Sequence, residues 1–185
     1  MEKFNVVEIP EPPLARLLFA NSKLAWLWLV IRVYVGWEWL SAGLHKLSGP
    51  AWIGAQSGSA VKGFLMGALQ KTAGDHPDVA GWYAQLIRNV AIPHAAGISH
   101  LVVYAEITIG ILLILGLFTG IAAFCGAFMN INYLFAGAIS TNPILLLLEL
   151  FLILAWRIAG WYGVDRFMLH ELGTPWDKGK FFQKV

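Results

Sequence analysis

Charge is what this chain has least of. Charged side chains make up 13% of its 185 residues, where a soluble domain of that length carries about 25%. Hydrophobic residues reach 58% and mean hydropathy is +0.64, so the composition belongs to the membrane class. A formal net charge of +2 without any basic run argues against a nucleic-acid partner. Cysteine is nearly missing too. Cys125 alone permits no intrachain disulfide and no CxxC redox pair, and its apolar neighbours make it read as a small buried hydrophobe. The first residues, MEKFNVVEIPEPPLARLLFANSK, lack the basic start and small-residue cleavage site of a signal peptide. The first long helix is therefore expected to stay as an anchor.

What the chain has in quantity is apolar helix. Residues 24–47, LAWLWLVIRVYVGWEWLSAGLHKL, are long enough to cross a hydrocarbon core of about 30 Å at about 1.5 Å per residue. Arg32 and Glu38 lie well inside that stretch. A charge at such depth costs about 2.5–3.5 kcal/mol and is rarely left facing lipid, so other helices must answer it. Three further spans are expected over residues 98–118, 120–139 and 142–163. Residues 48–97 form a connection too polar to span. Amphipathic helices are expected there over 60–73 and 79–91, split by Gly74-Asp75-His76-Pro77, and a connection of that length reads as a cap over one mouth of a bundle.

The expected fold is thus an all-α integral membrane protein, a four-transmembrane-helix bundle over residues 24–166. A long helical extracytoplasmic connection, 48–97, joins its first two spans. Residues 1–23 form an arm, partly interfacial, in which Pro10, Pro12 and Pro13 forbid a continuous helix. Residues 14–19 make a short amphipathic turn in it, and residues 167–185 form a soluble tail. Lys3, Arg16, Lys23, Arg166, Lys178, Lys180 and Lys184 flank the spans on the side of the termini, against Lys46, Lys62, Lys71 and Arg88 in the connection. The positive-inside bias places both termini in the cytoplasm.

Polar residues inside the spans are the candidate site. On the first span Arg32, Gly36, Trp39, Gly43 and Lys46 recur on one face, and Tyr34, Glu38, Ser41 and His45 on another. The second stripe must meet the bundle, the cap or another protein. The second span aligns Glu106, Gly110 and Leu113. The third aligns Gly126, Asn130 and Tyr133, with Asn132 on an adjoining row, and the fourth aligns Glu149, Ile153, Trp156 and Gly160. Counted from the cytoplasmic ends, Glu38, Glu106 and Glu149 fall at about 18–21 Å and Arg32 and Arg157 at about 9–12 Å. Three carboxylates with few cations at their own level imply at least one held neutral near pH 7. Such a group can exchange protons with a bound redox molecule. The alternative is a satisfied Glu-Arg-Asn network that only fixes the bundle. His45, His94 and His100 offer no pair on one helix face, so neither haem nor another metal is expected. With Lys46 and Arg88 they suit an entry for an anion. Trp39 and Trp156 could pack a quinone ring or simply fill the core.

The spacing Arg32, Gly36, Gly43, Lys46 resembles the first helix of the DoxX/DoxD membrane-protein family, as does Glu106, Gly110, Gly116. The segments GAFMNIN at 126–132 and GWYGVDR at 160–166 are similar to its DoxD-like branch. The resemblance implies a prokaryotic plasma-membrane subunit of the thiosulfate:quinone oxidoreductase kind, working beside other membrane or peripheral redox subunits, in contact with lipid and open to homo-oligomerisation. Under it, Glu38, Glu106 and Glu149 handle protons, and a quinone is held by Arg32, Arg157, Asn130, Asn132, Trp39 and Trp156. A small anionic sulfur donor enters past His45 and Lys46. No redox motif is present in the chain, so electrons must pass directly to the quinone or to another subunit. A non-catalytic accessory role in a larger respiratory or photosynthetic complex is the rival expectation.

Overall fold

Glycines where two long helices cross decide the centre of the molecule. In the computed structural model, which describes residues 10–174 and 177–180, α1 spans Pro13–Ala20 and α2 spans Ala25–Leu47. The cap helices α3 and α4 follow at Ser59–Gln70 and Gly81–Leu86, the latter continued by a π-helical turn over Ile87–Ala91. Then come α5 at Ala95–Leu115, α6 at Thr119–Phe135, α7 at Asn142–Leu154, α8 at Trp156–Ala159 and α9 at Asp165–Leu172. A two-residue antiparallel pair, β1 Gly173–Thr174 with β2 Asp177–Lys178, closes the described chain.

Helices α2 and α5 pack backbone to backbone. A Cβ built on Gly110 would lie 2.6 Å from the Leu40 nitrogen and 2.8 Å from the Gly36 carbonyl, contacts no side chain tolerates. Close approach through small residues gives dispersion contacts to helices that gain little from hydrophobicity in an apolar medium. Trp28, Val35, Trp39, Leu113, Ala123 and Leu152 fill the core between α2, α5, α6 and α7. Outside it, Trp37, Leu101, Ile121, Phe124, Phe128 and Leu154 are exposed, an apolar outer surface of the kind that marks a membrane or partner contact.

One described helix, Ala95–Leu115, is by itself long and apolar enough to cross a membrane. The pair Pro13–Ala20 and Ser22–Leu47, bent by 57°, qualifies jointly. The third and fourth expected spans are shorter than the sequence pattern suggests. The α6 helix ends at Phe135 instead of 139, because Gly137 turns left-handed (φ 71°) and its carbonyl accepts from Lys71 Nζ at 2.6 Å. The α7 helix ends at Leu154, and after Ala155 (ψ 10°) the chain resumes as the four-residue α8. The pattern had run unbroken to residue 163. In the arm and tail, residues 1–9, 175–176 and 181–185 lie outside the described residues, including Lys3 and Lys184.

The connection forms a second small core, with Val61 and Leu65 of α3 packed on Val79, Tyr83, Ile87, Ala95 and Ala136. It sits where α2 ends, α5 begins and α6 ends. The Trp52 carbonyl accepts from Ser57 Oγ at 2.9 Å and from Ser99 Oγ at 2.7 Å. Tyr83 Oη donates to the Asn132 carbonyl at 3.0 Å and to Asn132 Oδ1 at 3.1 Å. Burial raises the Tyr83 phenol above its usual range, since the charged form loses hydration.

Candidate functional site

Two carboxylates are sealed inside the helical body, each on its own helix. Glu106, on the middle turns of α5, is 1% exposed. Lys46, on the last turn of α2, reaches back to it, with Nζ 2.7 Å from Oε1 and 2.6 Å from Oε2. Gly43, one turn earlier on the same face, lets the two helices close here, for a Cβ on it would lie 2.7 Å from Ile107 Cγ1. Tyr133 of α6 donates to Glu106 Oε1 at 3.0 Å. The lysine is not wholly enclosed. Its side chain is 20% exposed and Nζ stands 5.3 Å from the Trp52 ring of the cap, while Phe64 of α3 meets the Tyr133 ring edge-on at 6.1 Å.

Glu149 on α7 is 0% exposed and, among the described residues, is held by neutral donors only. Trp39 Nε1 donates to Oε1 at 2.6 Å and Asn130 Nδ2 to Oε2 at 2.7 Å. Gly126 makes the space, because a Cβ there would collide with Glu149 Oε1 and lie 3.0 Å from Trp39 Nε1. Asn130 is itself 0% exposed, and its Oδ1 has no hydrogen-bond partner among the described residues. Helix α6 links the two groups, because Asn130 and Tyr133 stand one turn apart on the same face. Trp39 and Lys46 link them again along α2, two turns apart.

At the opposite end buried charge meets backbone. Arg32, 1% exposed, donates through Nη1 to the carbonyls of Leu113 and Ile114 at 2.9 and 3.2 Å and through Nη2 to Tyr162 at 3.0 Å. These are carbonyls at the end of α5 and in the chain after α8, where helical partners run out, and the Leu113 carbonyl also accepts from the Gly116 amide at 3.2 Å. Gly116, left-handed at φ 65°, leaves the room, since any Cβ there would overlap Arg32 Nη1. Asp165, 4% exposed, accepts from the Phe118 and Thr119 amides at 2.6 and 2.9 Å, a carboxylate on the first turn of α6, where the helix dipole favours it.

The structure gathers some of the expected residues and disperses others. Glu106, Glu149, Lys46, Asn130 and Trp39 converge. Glu38 does not join them. It stays partly exposed on the outer face of α2 with Tyr34 (44% exposed), Ser41 and His45, so the expected triple of carboxylates is a pair. Lys46 supplies the cation at the level of Glu106 that the sequence reading had left out. Arg32 is engaged by backbone carbonyls, and Asn132 turns to Tyr83 and to the Phe128 carbonyl. Arg157 lies on the surface, 48% exposed and 3.7 Å from Glu11 of the arm. Trp156 lines a largely apolar cavity of about 460 Å³ beside Asp165. The histidines stay apart, His94 on the Val90 carbonyl and His100 on Ser57. Cys125 is exposed, not buried, on the outer face of α6.

Two residues central to these groups were missed in the sequence. Tyr133 was in view, three residues from Asn130 on one line, but nothing marked its hydroxyl as a ligand of Glu106. Asp165, just past the fourth expected span, drew no role. The available signal was Gly160, whose missing side chain leaves room for the Asp165 carboxyl.

The DoxX family model matches residues 27–138, from the first turn of α2 to just beyond α6. That stretch holds Lys46, Glu106, Asn130 and Tyr133. No curated protein and no solved structure matches the chain.

Proposed function

The chain belongs to the DoxX family, a membrane family, and on that premise we propose that it is a four-span subunit of a quinone-linked redox system. Its termini lie in the cytoplasm and its cap outside. The reading follows the DoxD-like kind, in which electrons from thiosulfate or another small sulfur compound reach membrane quinone. One observation carries it: two carboxylates on separate helices, both shut away from solvent, one held by a lysine and a tyrosine and the other by an indole and an amide.

Reducing a quinone to a quinol takes two electrons and two protons. In a lipid-shielded interior protons move only between positioned groups. Lys46, partly open beneath Trp52, is the point where protons enter from the cap side. Glu106 and Tyr133 lie behind it, and α6 carries the path on to Asn130 and Glu149. The quinone is the substrate of this scheme, and the electrons come from the sulfur donor or a partner subunit. Surrounding lipid covers the exposed apolar faces.

The partly exposed Tyr34, Glu38, Ser41 and His45 stripe favours a second reading, an accessory subunit whose outer face meets another membrane helix. One experiment separates the two. Membranes carrying Glu106→Gln are compared with wild type for thiosulfate-dependent quinone reduction. A redox subunit loses at least tenfold in rate while the folded protein persists. Unchanged turnover with correctly folded variant removes the proton-handling role and leaves the accessory one.

A further inference from the structure

The outer face of α2 carries a polar stripe that its own protomer leaves unanswered. Tyr34 and His45 are exposed there, and Glu38 and Ser41 are partly so. Among the described residues the Glu38 carboxyl, the Tyr34 hydroxyl and the His45 ring make no hydrogen bond or ion pair. The Ser41 hydroxyl reaches only the Glu38 main-chain carbonyl, at 3.1 Å. Hydrocarbon offers such groups nothing to bond, so a helix that spans lipid needs a polar cover over them.

The spacing says which cover fits. Leu27, Ile31, Tyr34, Glu38, Ser41 and His45 follow one another at alternating steps of four and three residues, the seam of a two-helix coil. Val30, Trp37 and Leu44, all exposed, repeat every seventh residue along its open flank. The seam points away from Gly36 and Gly43, which close on α5, so another helix can lie along it without disturbing the bundle.

We propose that this seam pairs α2 with α2 of a second copy, around a twofold axis along the membrane normal. Every copy inserts in the same orientation, so a twofold partner presents the same side chains at the same depth. In such a pair a seam residue sits among four residues of the facing helix. For Glu38 these are Tyr34, Trp37, Glu38 and Ser41 of the second copy. Tyr34 then donates to the facing carboxyl, and the two Glu38 groups share a proton in a hydrogen bond instead of repelling as two charges. Ser41 is small enough to let the backbones close. A helix of another protein would have to bring a donor and an acceptor to matching depths, whereas an identical helix brings them by symmetry. The pairing stands apart from the redox reading, and it gives the stripe a partner that the accessory reading assigns to another subunit.

Two measurements on the full-length protein test the pairing. Sedimentation equilibrium in density-matched detergent should give a monomer–dimer equilibrium that Glu38→Ala weakens about tenfold or more. Glu38→Gln, which keeps a donor and an acceptor, should weaken it by less than about threefold. Circular dichroism should show all three proteins equally helical, because the Glu38 carboxyl bonds nothing within its protomer. In membranes, with Cys125→Ser removing the native thiol, Ser41→Cys should cross-link on oxidation to a product of twice the chain mass. Val33→Cys, exposed on another side of the same helix, should not. A monomer without a Ser41→Cys cross-link, cross-linking as strong from Val33→Cys, a dimer indifferent to Glu38→Ala, or Glu38→Gln as weak as the alanine variant overturns the pairing. So does a Ser41→Cys product of another mass, which hands the face to a different protein and supports the accessory reading. Quinone reduction enters neither readout, so failure here leaves the redox reading untouched.

Discussion

The two ends of the helical body treat buried charge in opposite ways. At the Asp165 end, Arg32 and Asp165 are bonded to main-chain carbonyls and amides, whose positions the fold itself fixes. At the cap side, Glu106 and Glu149 are bonded only to side chains. Main-chain partners hold two helix ends and a loop in register and cannot be exchanged without unfolding them. Side-chain partners can rotate, give up a proton and take it back. The contrast separates a structural lock from a group suited to chemistry, although both look alike as charges in an apolar sequence.

The largest effect is expected where the lock is broken. Arg32→Met takes the guanidinium donor from the Leu113, Ile114 and Tyr162 carbonyls, leaving Leu113 only the Gly116 amide, and removes the cation facing Asp165. It should destabilise the protein by about 3–5 kcal/mol, read as loss of accumulation or a collapsed melting temperature in detergent. Arg32→Lys should not restore it, since an ammonium cannot span three carbonyls as the guanidinium fork does. A stable, fully active Arg32→Met protein would erase the contrast. An intermediate effect is expected for Gly126→Ala, whose methyl is driven onto Glu149 Oε1. Overpacking should cost about 1–3 kcal/mol, and thiosulfate-dependent quinone reduction should fall further than stability does, because the methyl dislodges the carboxylate from Trp39. Activity falling only in step with folded protein would make Glu149 another piece of scaffold.

The smallest effect belongs to the contact between cap and bundle. Tyr83→Phe removes the bonds to Asn132 and should cost about 1 kcal/mol, seen as a modest melting shift and faster proteolysis of residues 48–97. The wild-type contribution has a definite pH window. The folded phenol titrates above its ordinary 10.0, so this stabilisation is fully present below about pH 10 and is lost as pH rises through the higher folded value. A Tyr83→Phe protein should lack that alkaline component, and an identical alkaline profile would place the cap's attachment elsewhere.

Much of this was legible in the chain, and the failures follow a pattern. Arg32, Gly36, Trp39, Gly43 and Lys46 were placed on one face by their spacing and do line the packed side of α2, because a helix converts spacing into direction. Glu38 was counted with Glu106 and Glu149 because its depth matched theirs, yet it lies on the other side of α2. Depth along a helix is readable from a count, whereas the azimuth that faces a partner depends on which neighbour packs there. Arg157 illustrates the same limit, drawn to the surface once α8 broke away from α7. Asp165 failed for a different reason, since its partners are amides that carry no sequence signature and Gly160 marks only the room for its carboxyl.

By itself the sequence determined the apolar helical class, the order of the helices, the capped connection and the glycines where α2 meets α5, because length, hydropathy and side-chain size act locally. Only the tertiary structure decided which charges became partners: Lys46 with Glu106, Arg32 with the carbonyls ending α5, Asp165 with the amides starting α6. Those choices depend on distances between residues dozens of positions apart in the chain, and a buried charge accepts whichever complementary group the packing brings within about 3 Å.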